Sequence, residues 1–188
     1  MQYIIYAVFL VLTAATSTRP ALPVTPERQF EIAQDVAGVV REETALPFDG
    51  EEGPEATSVL LAVMARYESD LREDVEDCRV RGPNGEVGLW QLAPGKNLEG
   101  HKIAEVCGSR KLQAKLALDL FVRSRRDAHD VAGLIRAYTS GSAGVSSPQA
   151  RGRTRMFAWL SHTAGLEVRT LDATWAKPAE EKAVLARE

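Results

Sequence analysis

The sequence predicts an α+β fold that is mainly α-helical, with one small β-hairpin. The helical prediction comes from apolar residues that recur every three or four positions, most regularly over residues 54–67. The hairpin prediction comes from the segment GPNG at 82–85, because Asn-Gly favours a tight turn between two short strands. With 188 residues, the chain is long enough for one domain with extensions and a sizeable core.

Several helices have recognisable ends. Thr25, Asp130 and Ser147 are typical N-cap residues, and a proline follows two of them at the first helical position. Gly141 is expected to end the helix that Asp130 begins. A further strong helix is predicted between residues 112 and 121, because Leu112, Leu116 and Leu120 recur every four positions.

The composition excludes some classes of partner. Hydrophobic residues make up 45% of the chain and charged residues 26%, as in ordinary soluble globular proteins. The formal charge of −3 gives no basic surface of the kind that binds nucleic acid. Aspartates lie in and around the densest basic run, at 123–129, which we therefore interpret as a solvated helix end.

The N-terminus is apolar and uncharged over residues 3–15. This stretch is shorter than the roughly 20 residues that a membrane-spanning helix needs. Small residues follow it, a pattern that predicts a secretory signal peptide over residues 1–22. The protein is therefore expected to be exported, periplasmic or secreted, and to have no stable membrane span after cleavage. Because Met1-Gln2 carries no Lys or Arg, a retained membrane anchor and a buried first helix stay open as alternatives.

The two cysteines fit an exported chain. Cys78 and Cys107 lie in or beside turn-rich segments, and exported proteins with an even number of cysteines usually pair them. A bridge here would close a loop of about 30 residues and stabilise the fold by about 3–4 kcal/mol. The alternative is two unpaired small hydrophobic residues. The three histidines are scattered, so the sequence predicts no metal site and no cofactor.

Glu68 is the most informative single residue. It lies in the last turn of the helix predicted from residue 54, four positions after Met64 and seven after Leu61, and therefore beside an apolar face. A carboxyl group with poor solvation has a raised pKa, which suits the general acid of glycosidic bond cleavage. Taken alone, the pattern is more typical of a solvated glutamate paired with Arg66 or Arg72.

Three short segments together resemble a known family. The segments are RYES at 66–69, GEVGLWQLAPG at 85–95 and IRAYTSG at 135–141. In this order they resemble the motifs of lytic transglycosylases, whose soluble and specialised secretion-system members share a goose-lysozyme-like fold. The third segment has Thr139-Ser140 where the family has Asn-Ala, and the spacing between the first two is longer than usual.

The resemblance implies a lysozyme-like catalytic domain over residues 54–165, with the small hairpin after the catalytic helix. An N-terminal helix and linker would precede it at 23–53, and a C-terminal tail would follow at 166–188. Glu68 would be the only catalytic acid and base. It would cleave the β-1,4 bond between N-acetylmuramic acid and N-acetylglucosamine of peptidoglycan, with formation of a 1,6-anhydro end. The substrate-binding residues that the resemblance implies are Ser69, Gly88, Leu89, Gln91 and Tyr138.

Two other functions stay open. A hydrolytic muramidase of the goose-lysozyme type would use Asp74, Asp77 or Glu86 to position a water molecule. Alternatively, the domain would bind peptidoglycan without cleaving it, as a part of a secretion-system or phage assembly. Several of the implied residues also have an alternative role in the fold: Leu89 as a core residue, and Tyr138 as a helix residue with its hydroxyl in water. Trp90 is assigned to the core.

Overall fold

Helices account for most of the structure, a computed structural model that describes residues 2–17 and 24–166. The α-helices of these residues are α1 (Gln2–Ser17), α2 (Pro26–Glu42), α3 (Gly53–Ser69), α4 (Glu73–Glu76), α5 (Ile103–Cys107), α6 (Arg110–Ser124), α7 (Val131–Ser140) and α8 (Pro148–Thr163). A single 3-10 turn, Arg125–Asp127, connects α6 with α7. The mainly helical prediction is confirmed.

The predicted helix ends are present. The side chain of Thr25 accepts a hydrogen bond from the backbone N–H of Arg28, and Asp130 and Ser147 cap α7 and α8 in the same way. Gly141 ends α7 with a φ of 73°, a left-handed conformation that glycine adopts without steric cost. These ends were predictable because capping depends only on residues close in sequence.

The predicted β-hairpin is not confirmed, and the described residues contain no β-sheet. The GPNG turn is present, with the N–H of Gly85 donating to the carbonyl of Gly82 at 2.9 Å. Beyond it there is only one antiparallel bridge, between Val87 and Leu92. A second tight turn follows directly after Val87, and in it the N–H of Gln91 donates to the carbonyl of Gly88. This turn interrupts the extended backbone that a strand needs.

Helix α3 lies at the centre of the fold. It contacts α1, α2, α6 and α8, and every residue from Ala56 to Arg66 is buried. The sequence predicted one apolar face, whereas the structure buries the middle of the helix on all sides. As expected for a helix in this position, residues 59–65 are apolar around the whole circumference. The helix is partly accessible only toward its ends, at Pro54 and Glu55 in the first turn and at Tyr67 and Glu68 in the last.

Helix α1 packs on α2, α3 and α8. Val8, Val11 and Leu12 are fully buried, whereas Tyr3 and Leu10 are exposed on the other side. The signal peptide stays a prediction, and the observed packing corresponds to the alternative of a buried first helix. No helix within residues 2–17 and 24–166 is both long and apolar enough to cross a membrane. Residues 18–23, which include the end of the predicted signal peptide, and the predicted tail from residue 167 onward lie outside the described residues.

The predicted disulfide is confirmed. Cys78 and Cys107 are bonded, with their Cα atoms 5.6 Å apart. The bond connects the turn after α4 with the last residue of α5, and it therefore closes the irregular segment that contains the GPNG turn.

The packing of α1 gives a stability prediction. In protein that retains residues 1–17, we expect Leu12→Ala to lower the free energy of unfolding by about 2–5 kcal/mol, because a buried leucine is replaced by a cavity. The matched control is Leu10→Ala on the same helix, which is half exposed and should change stability by less than about 0.5 kcal/mol. Chemical denaturation measures both. Equal effects of the two substitutions would contradict the packing of α1.

Candidate active site

The chain turns sharply immediately after Glu68. The Ser69 hydroxyl donates to the carbonyl of Ala65 at 2.7 Å and accepts from the N–H of Leu71 at 3.2 Å. Asp70 and Leu71 both have left-handed backbone conformations, with φ of 52° and 60°, which are uncommon for residues other than glycine. Ser69 therefore stabilises the end of α3 through backbone contacts, and its predicted contact with substrate stays a prediction.

Glu68 forms an ion pair with Arg153 of α8. The Nε and Nη2 atoms of Arg153 lie 2.8 Å and 2.6 Å from Oε1 of Glu68. Both side chains are largely buried, with exposed fractions of 14% for Glu68 and 9% for Arg153. The two arginines suggested by the sequence are engaged elsewhere, since Arg66 pairs with Asp70 and Arg72 pairs with Asp74. The suggested pairing was therefore wrong, because it considered only neighbours along the chain.

The pKa of Glu68 is raised above its ordinary value. Burial is the largest cause, because a low-dielectric environment disfavours the charged form. The guanidinium of Arg153 lowers the pKa and offsets part of this effect, while the carboxylate of Glu86 raises it further. The sequence-based expectation of a raised pKa is confirmed, and the cause is the one expected.

Tyr138 and Trp90 connect the second and third motifs with each other and with α3, the helix that carries the first. The Tyr138 hydroxyl donates to the backbone carbonyl of Trp90 at 2.5 Å, and its ring stacks on Phe121. Trp90 is fully buried, as predicted, and its indole N–H donates to the carbonyl of Leu61 in α3. Burial and then the Glu68 carboxylate raise the pKa of Tyr138 well above its ordinary value. Its hydroxyl therefore remains protonated, and its bond to Trp90 replaces the expected alternative of a hydroxyl in water.

Gly88 and Leu89 make their contacts with protein groups. Gly88 has a φ of 73°, and a Cβ there would lie 2.5 Å from Oε1 of Gln113. The same Oε1 accepts the backbone N–H of Leu89 at 2.8 Å, and the Gln113 Nε2 donates to the carbonyls of Glu76 and Val106, both at 3.0 Å. The Leu89 side chain is fully buried. Gly88 thus permits the close approach of a glutamine, and the side chain of Leu89 belongs to the core.

Glu68 and Gln91 open onto the same cavity. It has a volume of about 180 Å³ and is also lined by Ser69, Asp70, Arg72, Val75, Val80 and Arg81. The Gln91 side chain donates to the carbonyl of Gly88 at 3.1 Å, which orients it at the cavity wall. Residues of the first two motifs therefore meet at one opening, with a mixed polar and apolar lining.

Of the three acidic residues suggested for positioning a water molecule, only Glu86 acts on Glu68. Glu86 accepts hydrogen bonds from the backbone and side chain of Asn84, which lower its own pKa, and it raises the pKa of Glu68. Asp74 pairs with Arg72, and Asp77 pairs with Arg79 at 3.1 Å. In the part of the chain that the structure describes, no group of three His, Cys, Asp or Glu side chains is placed to hold a metal ion.

Sequence reasoning missed three residues that support the site: Arg153, Gln113 and Glu76. Glu76 accepts hydrogen bonds from Arg28 at 2.5 Å and from Arg110 at 2.9 Å. Arg28 also donates to the carbonyl of Leu71 in the turn after Glu68. For Arg153 a signal was present, because this residue precedes Phe157 by four positions and Leu160 by seven, and so lies on the apolar face of its helix.

The chain has no match among protein-family models, curated proteins or solved structures. The resemblance to lytic transglycosylases therefore depends on the three sequence segments alone.

The contact between Gly88 and Gln113 gives a prediction with a matched control. Gly85 and Gly88 both have positive φ, but only at Gly88 would a Cβ meet another group. We expect Gly85→Ala to cost about 1–2 kcal/mol from backbone strain alone. Gly88→Ala should cost clearly more, since Gln113 must also give up its bond to Leu89. Chemical denaturation measures both changes, and equal losses would show that the contact contributes nothing.

Proposed function

We propose that this protein is a lytic transglycosylase that cleaves the β-1,4 bond between N-acetylmuramic acid and N-acetylglucosamine in peptidoglycan. The observation that supports this most strongly is the convergence on one buried carboxyl group. Glu68 has a raised pKa, shares a cavity with Gln91, and acts electrostatically on Tyr138. These residues come from three segments up to 70 positions apart.

The proposed reaction needs one carboxyl group and no cofactor. Glu68 in its protonated form donates to the glycosidic oxygen as the bond from that oxygen to C1 of the muramic sugar breaks. The C6 hydroxyl of the same sugar then bonds to C1, and its proton returns to Glu68. Because the attacking oxygen belongs to the substrate, no second carboxylate is required to activate water, in contrast to most hydrolytic glycosidases.

The environment of Glu68 suits both halves of this cycle. Burial favours the protonated acid that begins the reaction, and the contact with Arg153 stabilises the carboxylate that exists between the two proton transfers. The hydroxyl of Tyr138 donates to the carbonyl of Trp90 and lies close enough for the charge of Glu68 to act on it. The lysozyme-like fold, export to the periplasm or beyond, and a place in a secretion-system or phage assembly belong to the same proposal.

Two observations favour other functions. The charge of Glu86 acts on Glu68, which would suit a hydrolytic muramidase in which Glu86 positions a water molecule. The ion pair between Glu68 and Arg153 favours the ionised form of Glu68, which would suit a domain that binds peptidoglycan without cleaving it. The raised pKa of Glu68 suits an acid catalyst, which both the transglycosylase and the muramidase require, and it has no role in a domain that only binds peptidoglycan.

We expect Glu68→Gln to lower the rate of peptidoglycan cleavage at least about a hundredfold, because the amide has no acidic proton to donate. The amide oxygen can still accept the hydrogen bonds of Arg153, so the variant is expected to fold, and circular dichroism checks this. Release of muropeptides from purified sacculi gives the rate. The matched control is Glu42→Gln at the end of α2. Its side chain is 61% exposed, and the variant should retain full activity.

The mass of the products separates the two enzymatic functions. Anhydro-ended muropeptides, lighter by one water than hydrolysis products, support the transglycosylase. Products with reducing ends, together with loss of activity in Glu86→Gln, would instead establish the hydrolytic muramidase. Binding of sacculi without release of any fragment, at every pH tested, would reject both enzymes in favour of the binding domain.

A further inference from the structure

Arg153 contacts only one of the two oxygens of Glu68. Its Nε donates a hydrogen bond to Oε1 at 2.8 Å, and its Nη2 lies 2.6 Å from the same oxygen in the ion pair. Within the described residues, Oε2 has no hydrogen-bond partner. An oxygen that accepts a hydrogen bond from a guanidinium and lies against a second of its nitrogens is a poor site for a proton, because protonation would direct a further hydrogen toward the same cation. When Glu68 takes up a proton, the proton therefore goes to Oε2.

The guanidinium is itself held in place. Its central carbon lies 4.6 Å from the centre of the Tyr67 ring, which is adjacent to Glu68 in α3. Gly152 allows this arrangement, since a Cβ at that position would collide with the Tyr67 hydroxyl. With a side chain that is only 9% exposed, Arg153 has little freedom to take another orientation. The contact between α3 and α8 thus fixes Arg153 before any substrate binds.

We infer that Arg153 is a positioning residue for Glu68, which holds Oε1 and leaves Oε2 to exchange the proton with the substrate. The inference rests on the proposed function and adds a residue that neither the motifs nor their family pattern assigns. In the first step, the proton leaves Oε2 for the glycosidic oxygen as the bond from that oxygen to C1 breaks. In the second step, the C6 oxygen bonds to C1 and its proton returns to Oε2. Arg153 remains on Oε1 throughout and stabilises the intervening carboxylate.

Other charged and titratable groups also face Glu68. Glu86 approaches from the loop after the GPNG turn and Tyr138 from α7, and the cavity wall adds Asp70, Arg72 and Arg81. Asp70 and Arg72 already have partners in Arg66 and Asp74. Arg153 is the cation in direct contact with Glu68, so its removal should favour the protonated form of the acid over a wider pH range.

The main experiment replaces Arg153 by glutamine in the full chain. We expect Arg153→Gln to move the alkaline limb of the pH–rate profile upward by about one pH unit. We also expect the maximal rate to fall about tenfold or more, because Glu68 loses its fixed orientation. The matched controls are Arg151→Gln and Arg155→Gln, which remove the same charge from exposed positions on the same helix and should leave both quantities unchanged.

A second readout does not require activity. The Glu68 carboxyl carbon can be followed by NMR during a pH titration, with its signal assigned by its loss in Glu68→Gln. Its midpoint should rise in Arg153→Gln and stay in place in the two controls. An unchanged or lower midpoint in Arg153→Gln, or an equal rise in the controls, overturns the inference. A third outcome is a Glu68 midpoint that rises only in Arg153→Gln, in a protein that never cleaves peptidoglycan. That outcome rejects the proposed function but retains the control of Glu68 by Arg153.

Arg153→Lys separates charge from orientation, and it carries the test if the glutamine variant does not fold. Lysine keeps the positive charge but replaces the two-nitrogen contact by a single flexible ammonium. We expect the alkaline limb to stay within about 0.3 pH units of the wild type, while the maximal rate falls several-fold. A lysine variant with the full wild-type rate would show that Arg153 supplies only charge and does not position Glu68.

Discussion

Helix α3 is surrounded by four other helices, and its burial governs the arrangement of the rest of the molecule. Because its middle turns are apolar on every side, polar groups can enter the interior only where the helix ends. Glu68 occupies that end, and a carboxyl group in such a place requires a partner. The partner is Arg153 from α8, so the same ion pair joins two helices and defines the candidate site. A buried pair of this kind is costly to break, about 3–5 kcal/mol when one member is removed, because the other charge remains unpaired.

The loops around Glu68 depend on polar side chains that join segments distant in the sequence. The side chain of Gln113 accepts a hydrogen bond from the backbone of Leu89 and donates hydrogen bonds to the carbonyls of Glu76 and Val106. It also fills the space next to Gly88. Glu76 binds two arginines, one of which also holds the carbonyl of Leu71 in the turn after Glu68. The disulfide between Cys78 and Cys107 closes the same region. An irregular segment without a sheet is thus held rigidly enough to orient Gln91 and Trp90 relative to Glu68.

The candidate site combines opposing electrostatic effects. Burial favours neutral Glu68, whereas Arg153 favours the charged form, and Glu86 favours the neutral form again. A carboxyl group that must lose and regain a proton in one reaction cycle benefits from such opposing effects, because each of its two charge states is stabilised by part of the surroundings. A carboxyl group with a purely structural role would have no need of them. The same effects explain why the ion pair is compatible with the proposed acid catalysis, provided that the proton occupies the oxygen that Arg153 leaves free.

The sequence by itself determined the helices, their caps, the paired cysteines and the raised pKa of Glu68, because these depend on short-range periodicity and on the chemistry of single residues. It failed for the β-hairpin, because Gly88 and Gln91 have positive φ values that interrupt the strand. The turn at Gly88 packs against Gln113, a contact between residues distant in the sequence. It also failed for the partner of Glu68, because Arg66 and Arg72 are near in sequence whereas Arg153 is near only in space. Which charges meet across α3 and α8 was decided by tertiary packing. An ion pair needs a separation of a few ångströms, and the local sequence does not specify which residue 85 positions away will come that close.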